Sequence, residues 1–431
     1  MKKIFYGITK NISALLIGQI IYKIFTFIMM IIMARFLGVE DFGRFSYAMS
    51  FVWIFLFLSD MGLSELFIRD VASDPKLQDS YINNIVPMKI LIGTIAYIVI
   101  IILASVFSGD SVKFWIIVML GGSVIIDSMM YFFRCLFRVR ETMEKEGVLM
   151  TIEAFLKLAI IALLVNSGIS ISRVKLIASG ILFTSAVNLL INLLAFKKNH
   201  RDIKLSVDIR LWLYLLRNGL PFAGIYILSL VNFRIDVIML SAMKSDYMAG
   251  LYNADFKILE QIFMIPVMLS CVLLPVFSRM SGSISVLKNI FIKAIIFLSA
   301  ASILCVFFCY IFGKWMILVI YGIKFEEAVS YFYIFSWVII PFFLKPIFEK
   351  LFYGIRRQAI VCFVYAGGVV FHIVFNVIMI PRFGMKGAIL GTFLSEVMII
   401  AALGLSLSRI KSKGLVLDMA VSEIEKAVIL A

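Results

Sequence analysis

Long apolar blocks constrain the fold of this chain more than any other feature. Residues 86–107 form an almost unbroken apolar run, and comparable runs recur along the sequence. A helix of that length crosses about 30 Å of hydrocarbon. In lipid, only helices and closed barrels satisfy their backbone amides, and the sequence lacks the short alternating segments of an outer-membrane barrel. The sequence therefore predicts an all-α, polytopic membrane protein.

Composition and charge agree with an apolar solvent. Of 431 residues, 63% are apolar and 16% are charged, whereas soluble domains contain about 45–50% apolar and 25% charged residues. The net charge is +15, but the basic residues lie in short loops between apolar blocks. That placement is typical of positive-inside topology and of contact with anionic lipids. We therefore expect the lipid bilayer as a partner and no nucleic acid.

About twelve transmembrane helices are predicted from these blocks. The spans are 11–34, 45–66, 86–107, 113–134, 149–166, 174–196, 213–243, 250–278, 290–312, 327–348, 357–380 and 386–407. An even number of spans places both termini on one side of the membrane. Lys and Arg concentrate in the termini and in the even-numbered loops. The positive-inside rule therefore predicts a multi-pass protein of the cytoplasmic membrane with both termini in the cytoplasm.

The chain is predicted to consist of two similar halves. The most polar connection, Lys197–Arg210, separates the first six spans from the last six, so the expected domains are 1–204 and 205–431. Gly43–Phe45 at the start of span 2 resembles Gly250–Tyr252 at the start of span 8. Parallel repeats that flank a midplane site are a transporter architecture. We expect two six-helix pseudo-repeat bundles around a central cavity.

Ionisable side chains inside the spans are the candidate substrate site, because each costs at least about 2.5 kcal/mol at the bilayer centre. Span 2 carries a polar stripe that runs from Ser46 to Ser64, and span 8 carries Lys257 and Glu260 on one face. The predicted cavity residues are Gln19, Lys23, Ser46, Ser50, Asp60, Arg234, Asp236, Asn253, Lys257 and Glu260. The alternative is hydrogen bonding within each bundle, with Lys257 and Glu260 neutralising each other at i,i+3.

Several of these groups keep two interpretations. Lys23 lies about half-way down its helix, as either a cavity cation or one member of a buried ion pair. Arg234 and Asp236 point in roughly opposite directions, so either one can face substrate. Four further residues are candidates for entry or gating. These are Arg35 and Arg69 at span ends, and Asp127 and Arg134 on one face of span 4 as a structural or gating pair or a substrate contact.

Other buried charges are predicted to be structural. Glu153/Lys157 and Lys345/Glu349 have i,i+4 spacing, which favours ion pairs along one helix. Glu396 is alone in span 12, as a protonated carboxyl or a proton-coupling site. Five cysteines without a CxxC pair and two histidines argue against a metal, and no cofactor is expected. No phosphate-binding GxxxxGK[ST] motif is present, which disfavours ATP hydrolysis.

Short motifs spread along the whole chain carry a family resemblance. They lie at Ala34–Gly38, Asp41–Gly43, Asp60–Leu63, Arg69–Ala72, Asn218–Pro221, Gly250–Tyr252, Leu274–Pro275 and Phe383–Ala388. Their order and spacing resemble the polysaccharide (O-antigen-type) flippases of the multidrug/oligosaccharidyl-lipid/polysaccharide exporter superfamily. The resemblance implies two six-helix bundles around a cationic cavity. Some members have two more C-terminal spans, but the tail Arg409–Ala431 is too polar for another span.

The resemblance also implies a function. The substrate would be a polyprenyl-(di)phosphate-linked oligosaccharide, flipped across the cytoplasmic membrane by alternating access for surface polysaccharide biosynthesis, with other polysaccharide-assembly proteins as possible partners. Lys23, Arg234 and Lys257 are the candidate cations for its phosphate. A drug/cation antiporter of the same superfamily is the alternative, and it would favour an acidic cavity. A membrane glycan polymerase or ligase is disfavoured, because the outer loop 312–326 has no acid–base constellation. We therefore expect a transporter and not an enzyme.

Overall fold

A computed structural model describes residues 2–169, 172–199, 204–280, 284–355 and 357–413, and every regular element in these ranges is helical. The helices are α1 (Lys2–Ile54), α2 (Leu56–Asp60), α3 (Leu63–Ser73), α4 (Gln78–Phe107), α5 (Ser111–Val139), α6 (Met143–Asn166), α7 (Arg173–Asn199), α8 (Ile209–Met243), α9 (Asp246–Arg279), α10 (Ile284–Tyr321), α11 (Ala328–Phe335), α12 (Ile339–Gly354), α13 (Gln358–Phe383) and α14 (Met385–Lys413). The all-α prediction is confirmed. The polar tail beyond Lys413 lies outside the described residues.

The predicted spans match the helices closely. In the described ranges, ten stretches are long and apolar enough to cross a membrane. The first of them, Ile17–Ser73, contains two predicted spans, and α8 corresponds to the predicted span 213–243. The prediction of a polytopic protein with about twelve spans is therefore confirmed.

A sharp bend at Gly38 separates the first two spans, which otherwise form the single helix α1. Gly38 has φ 76° and ψ 178°, a backbone conformation that is open almost only to glycine. Beyond the bend, Gly43 packs against the first turn of α9. A Cβ atom at Gly43 would collide with the backbone carbonyl of Asp246, and one at Gly250 would collide with the carbonyl of Val39. The absence of side chains at these two glycines lets the helices cross in direct backbone contact.

The second span is broken, and the sequence did not predict this. Helix α1 ends at Ile54, and the chain continues as the short α2 and then α3. Between them, Met61 and Gly62 both have left-handed backbone angles, with φ 46° and 77°. The prediction of one straight polar stripe from Ser46 to Ser64 is therefore wrong at Ser64, because Met61 and Gly62 interrupt the helix between Asp60 and Ser64.

Helix α4 shows how the helices divide their surface between protein and lipid. Ile98, Ile102 and Val106 are exposed and recur at helical spacing, whereas Ile100 and Ala104 on the other face are fully buried. An exposed stripe of large aliphatic side chains is unfavourable in water and favourable in hydrocarbon. This helix therefore presents one side to the bilayer.

The chain forms two compact units, Met1–Gly250 and Leu251–Ala431. In the first unit, Phe67, Phe132, Phe133 and Phe196 form a buried aromatic core with ring centroids 4.8–6.0 Å apart.

In the second unit, Phe263 and Phe342 stack at 4.1 Å, and Tyr252 packs on Phe335 at 4.8 Å. Each core therefore holds its own set of helices together. The domain boundary at 204/205, the internal repeat and the central cavity between the halves stay predictions.

Candidate functional site

A balanced network of four charges joins α5 and α6. Arg134 donates to Glu153 at 2.7 Å, and Lys157 donates to Glu153 at 2.7 Å and to Asp127 at 3.1 Å. Arg134 also donates to Asn192 on α7 at 3.0 Å. Two positive and two negative charges satisfy one another, which is the arrangement that makes buried charge tolerable.

This network changes one prediction and confirms another. Asp127 and Arg134 are not a pair with each other, because each is bonded to a residue of α6. Their shared face on α5 was correctly inferred, but the partners come from the next helix, which the sequence did not indicate. The predicted i,i+4 pair between Glu153 and Lys157 is present.

A second ion pair lies at the break in the second span. Lys89 on α4 donates to Asp60, and it also donates to Ser128 on α5 at 3.0 Å. Ser64 at the start of α3 donates to the same carboxylate at 2.5 Å. The Lys89 side chain is 1% exposed, whereas that of Asp60 is 22% exposed. Asp60 therefore joins the two ends of the break to α4 while one side of its carboxylate stays accessible.

Close backbone contact fixes the geometry of this break. A Cβ atom at Gly62 would collide with the carbonyl of Gly219 on α8, and one at Gly219 would collide with the carbonyl of Met61. The sequence did not predict a role for Lys89, because the residues around it in the span are apolar. A single lysine in such a run was itself the available signal, since a charge in hydrocarbon requires a partner.

Charged residues also connect helix ends at the bend in α1. Asp246 at the start of α9 accepts from Lys113 on α5 at 2.7 Å and from Ser241 on α8 at 2.5 Å. Arg44 lies 3.5 Å from the same carboxylate and donates to Asp41 at 2.9 Å. One aspartate therefore links four helices at the end of the first unit that topology predicts to face outward.

Arg234 on α8 lies against the polar stripe of the second span. Its guanidinium carbon lies 4.7 Å from the ring centroid of Trp53 on α1, which is cation–π distance. The residue is 6% exposed, and Asp236 on the same helix is 2% exposed. Ser50, one turn before Trp53, is also buried. A buried cation next to a half-buried aromatic ring and a serine can accommodate an anionic headgroup.

The remaining predicted residues of the first unit are exposed or half-buried, except for Ser46. Lys23 is exposed and Gln19 is half-buried on α1. Ser46 is buried and donates to the carbonyl of Phe42 at 2.6 Å within its own helix. Arg35 is exposed, and Arg69 is exposed and bonded to its neighbour Asp70 at 2.7 Å.

In the second unit, Lys257 donates to Glu260 at 2.6 Å along α9, as the alternative interpretation of these two residues predicted. Both side chains are only partly buried, at 15% and 29% exposed. Asn253, one turn earlier, is buried. The ion pair neutralises the lysine, and both side chains stay partly accessible. A substrate role for these residues stays a prediction.

Glu396 on α14 is not alone. It accepts from Lys345 on α12 at 2.8 Å, and the Glu396 side chain is fully buried. Glu349 instead accepts from the hydroxyl of Tyr365 on α13. The predicted Lys345–Glu349 pair stays a prediction, and the lysine also reaches a neighbouring helix, which the sequence did not indicate.

One buried carboxyl was not predicted at all. Asp255 on α9 is 0% exposed, and neither of its carboxylate oxygens has a hydrogen-bond partner within the described ranges. The sequence pattern indicates the polar face of this helix, and Asp255 lies on the opposite side. Among the same residues, no three His, Cys, Asp or Glu side chains are grouped as metal ligands would be. The expectations of no metal and no cofactor stay predictions.

Two family models match this sequence, each over more than half of its length. The model described as "Polysaccharide biosynthesis protein" matches residues 8–281, and the model described as "Lipid II flippase MurJ" matches residues 155–431. The chain belongs to the polysaccharide biosynthesis protein family. A comparison with curated proteins gives no match.

Solved structures of transporters share the fold of this polysaccharide biosynthesis family member. A lipid II flippase MurJ in an inward closed conformation matches with TM-score 0.73 and 12% identity, over 91% of this chain and 87% of that one. An inward-facing MATE family multidrug resistance transporter matches with TM-score 0.69 and 14% identity, over 93% and 98%. A MOP superfamily transporter from Pyrococcus furiosus matches with TM-score 0.63 and 14% identity, over 94% and 96%. At these identities the likeness concerns the fold.

The two family models identify a membrane transporter of the flippase type, and its fold is that of the solved MOP superfamily transporters. The polysaccharide flippase resemblance inferred from the sequence motifs is confirmed. Within this flippase, the described charges fall into two classes. Some are held in ion pairs between helices, whereas the carboxyl of Asp255 has no hydrogen-bond partner among the described residues.

Proposed function

We propose that this flippase moves a polyprenyl-(di)phosphate-linked oligosaccharide across the cytoplasmic membrane by alternating access, for the biosynthesis of a surface polysaccharide of the O-antigen type. The observation that carries the proposal is the buried guanidinium of Arg234 over Trp53. A phosphate is attracted far more strongly to a cation in a low-dielectric site than in water. An aromatic ring beside that cation offers a stacking surface for a sugar.

The planar fork of arginine suits this role. It donates two parallel hydrogen bonds to a phosphate, while its face stays against an aromatic ring. The proposed path places the oligosaccharide and phosphate in a central cavity lined by Arg234, Trp53 and the Ser46–Ser50 stripe, with Lys23 and Lys257 as further cations. The polyprenyl chain remains in the lipid. Arg35 and Arg69 are exposed enough to meet an anionic headgroup at the membrane surface.

The proposal includes a topology and partners. Both termini lie in the cytoplasm, so the polar cluster around Asp246 faces outward. Other polysaccharide-assembly proteins supply the substrate on the cytoplasmic side and consume it on the outer side. The flippase itself performs no bond chemistry in this scheme.

The experiment is deletion of the gene in its native host, followed by analysis of lipid-linked intermediates in each leaflet. We expect lipid-linked oligosaccharide to accumulate on the cytoplasmic side, and complementation by the wild-type gene to restore export. Complementation by Arg234→Ala should fail although the protein is inserted at normal levels. Normal export in the deletion strain would contradict the proposal.

A drug/cation antiporter is the second candidate, favoured by the fold likeness to the multidrug MATE transporter and by the buried carboxyl groups of the second unit. It predicts the opposite phenotype. The deletion strain would export polysaccharide normally and become sensitive to cationic drugs. Arg234→Ala would then leave drug tolerance intact, since a buried cation repels such substrates.

A further inference from the structure

Asp255 is the one buried carboxyl among the described side chains for which the structure supplies no compensation. Its residue is 0% exposed, and both carboxylate oxygens are without a hydrogen bond to any described group. The other fully buried acids named above differ, because Glu153 has two cationic partners and Glu396 has one.

The position of Asp255 on α9 separates it from the proposed cavity. It is two residues from Lys257, which places the two side chains roughly 160° apart around the helix. Lys257 forms its ion pair with Glu260 on its own side of the helix. The neighbours of Asp255 along the helix, Ala254 and Phe256, are themselves buried. Asp255 therefore points into the interior of the second unit.

Tyr321 at the end of α10 is a buried titratable group within electrostatic range of Asp255 and, secondarily, of Glu260. Tyr252 holds this part of α9 against α14 through a 3.0 Å hydrogen bond to Thr392.

An ionised carboxylate in such a place is so unfavourable that the group takes up a proton instead. Ionisable groups within membrane spans are kept where they relay protons or ions. We propose that Asp255 is a proton-binding site that couples transport to the proton gradient. The neutral acid belongs to the conformation described here. When the second unit rearranges and water reaches the carboxyl, its O–H bond breaks, the proton passes to water, and the carboxylate is hydrated.

This inference deepens the proposed function and rests on it, since the coupled process is the flipping step. The test uses the purified full chain in proteoliposomes that contain a polyprenyl-phosphate-linked glycan. Flipping is followed with and without a pH gradient for the wild type and for Asp255→Asn. Glu326→Gln, which removes an exposed acid in the turn after Tyr321, is the matched control.

A gradient of one pH unit changes proton activity tenfold, so the wild type and Glu326→Gln should be accelerated by up to about tenfold per unit. Asp255→Asn should keep downhill flipping and lose this response. A response retained by Asp255→Asn would overturn the proposal. So would acceleration of the wild type by a sodium gradient in place of a pH gradient.

Infrared spectroscopy of the same proteins keeps the inference falsifiable if Asp255→Asn cannot flip at all. We expect the wild type to show the C=O band of a protonated carboxyl that persists at neutral pH and is missing in Asp255→Asn. Identical spectra of the two proteins would overturn the proposal. If the wild type flips no glycan but shows this band, the proposed function fails while the proton site stands.

Discussion

Two sites of buried charge, one in each unit, are compensated differently. In the first, Asp127, Arg134, Glu153 and Lys157 form a closed set of two positive and two negative side chains. In the second, Asp255 is buried with no hydrogen bond from any residue the structure describes. Both arrangements place ionisable groups inside the protein, but only the first compensates each of them.

The difference separates structural from functional charge. A compensated network holds helices in register and becomes costly only when one member is removed. An uncompensated carboxyl contributes nothing to stability in its charged form, so its retention requires another reason. Substitutions in the first class should therefore change folding, and substitutions in the second should change transport.

The largest effect is expected for Glu153→Gln, which leaves Arg134 and Lys157 without their shared carboxylate. Breaking a buried ion pair by removing one partner costs about 3–5 kcal/mol. Thermal unfolding of the purified protein in detergent measures this loss. Glu144→Gln, an exposed acid on the same helix, is the control and should be near neutral. Equal melting temperatures for the two variants would remove the distinction between the units.

The pair between Lys345 and Glu396 tests whether the second unit also contains structural charge. Lys345→Met leaves a fully buried carboxylate and should destabilise the protein by about 3 kcal/mol. The double variant Lys345→Met/Glu396→Gln should recover most of that loss, because two uncharged groups then face each other. Melting curves of the single and double variants form a double-mutant cycle. Additive losses would show that the two side chains do not interact.

A smaller effect is expected at the break in the second span. Gly62→Ala forces a Cβ atom against the carbonyl of Gly219 in a left-handed conformation, which costs about 1–3 kcal/mol. Gly224→Ala on α8 is the matched control, since open space surrounds a Cβ atom there and alanine favours a helix. The same melting measurement should order the variants with Gly62→Ala below wild type. An unchanged melting temperature for Gly62→Ala would mean that the contact is relaxed in the membrane.

The sequence predicts the helices well and the partners of their charges poorly. Apolar blocks place nearly every span within a few residues, because the length needed to cross lipid is a local property. The pair Glu153/Lys157 was found because both members lie on one helix. Lys345 and Glu396 were not matched, because they meet across helices.

Two other misses have local causes. Gly62 is inconspicuous in the sequence, since glycine in a span also serves close packing, so the break beside Asp60 could not be inferred. Asp255 was not predicted because it lies on the side of α9 opposite the polar face that carries Lys257 and Glu260. A lone acid among apolar residues on that side was the available signal.

The central claim is that this flippase moves a phosphate-linked glycan past Arg234. The most direct measurement is the rate at which a polyprenyl-phosphate-linked glycan changes leaflet in proteoliposomes that contain the purified chain. Wild type should exchange the glycan, Arg234→Ala should be slower by roughly tenfold or more, the change expected for one charge-assisted hydrogen bond, and Arg234→Lys should recover part of the rate. The rates are compared at equal amounts of inserted protein. No exchange by the wild type, or an unchanged rate in Arg234→Ala, would contradict this account.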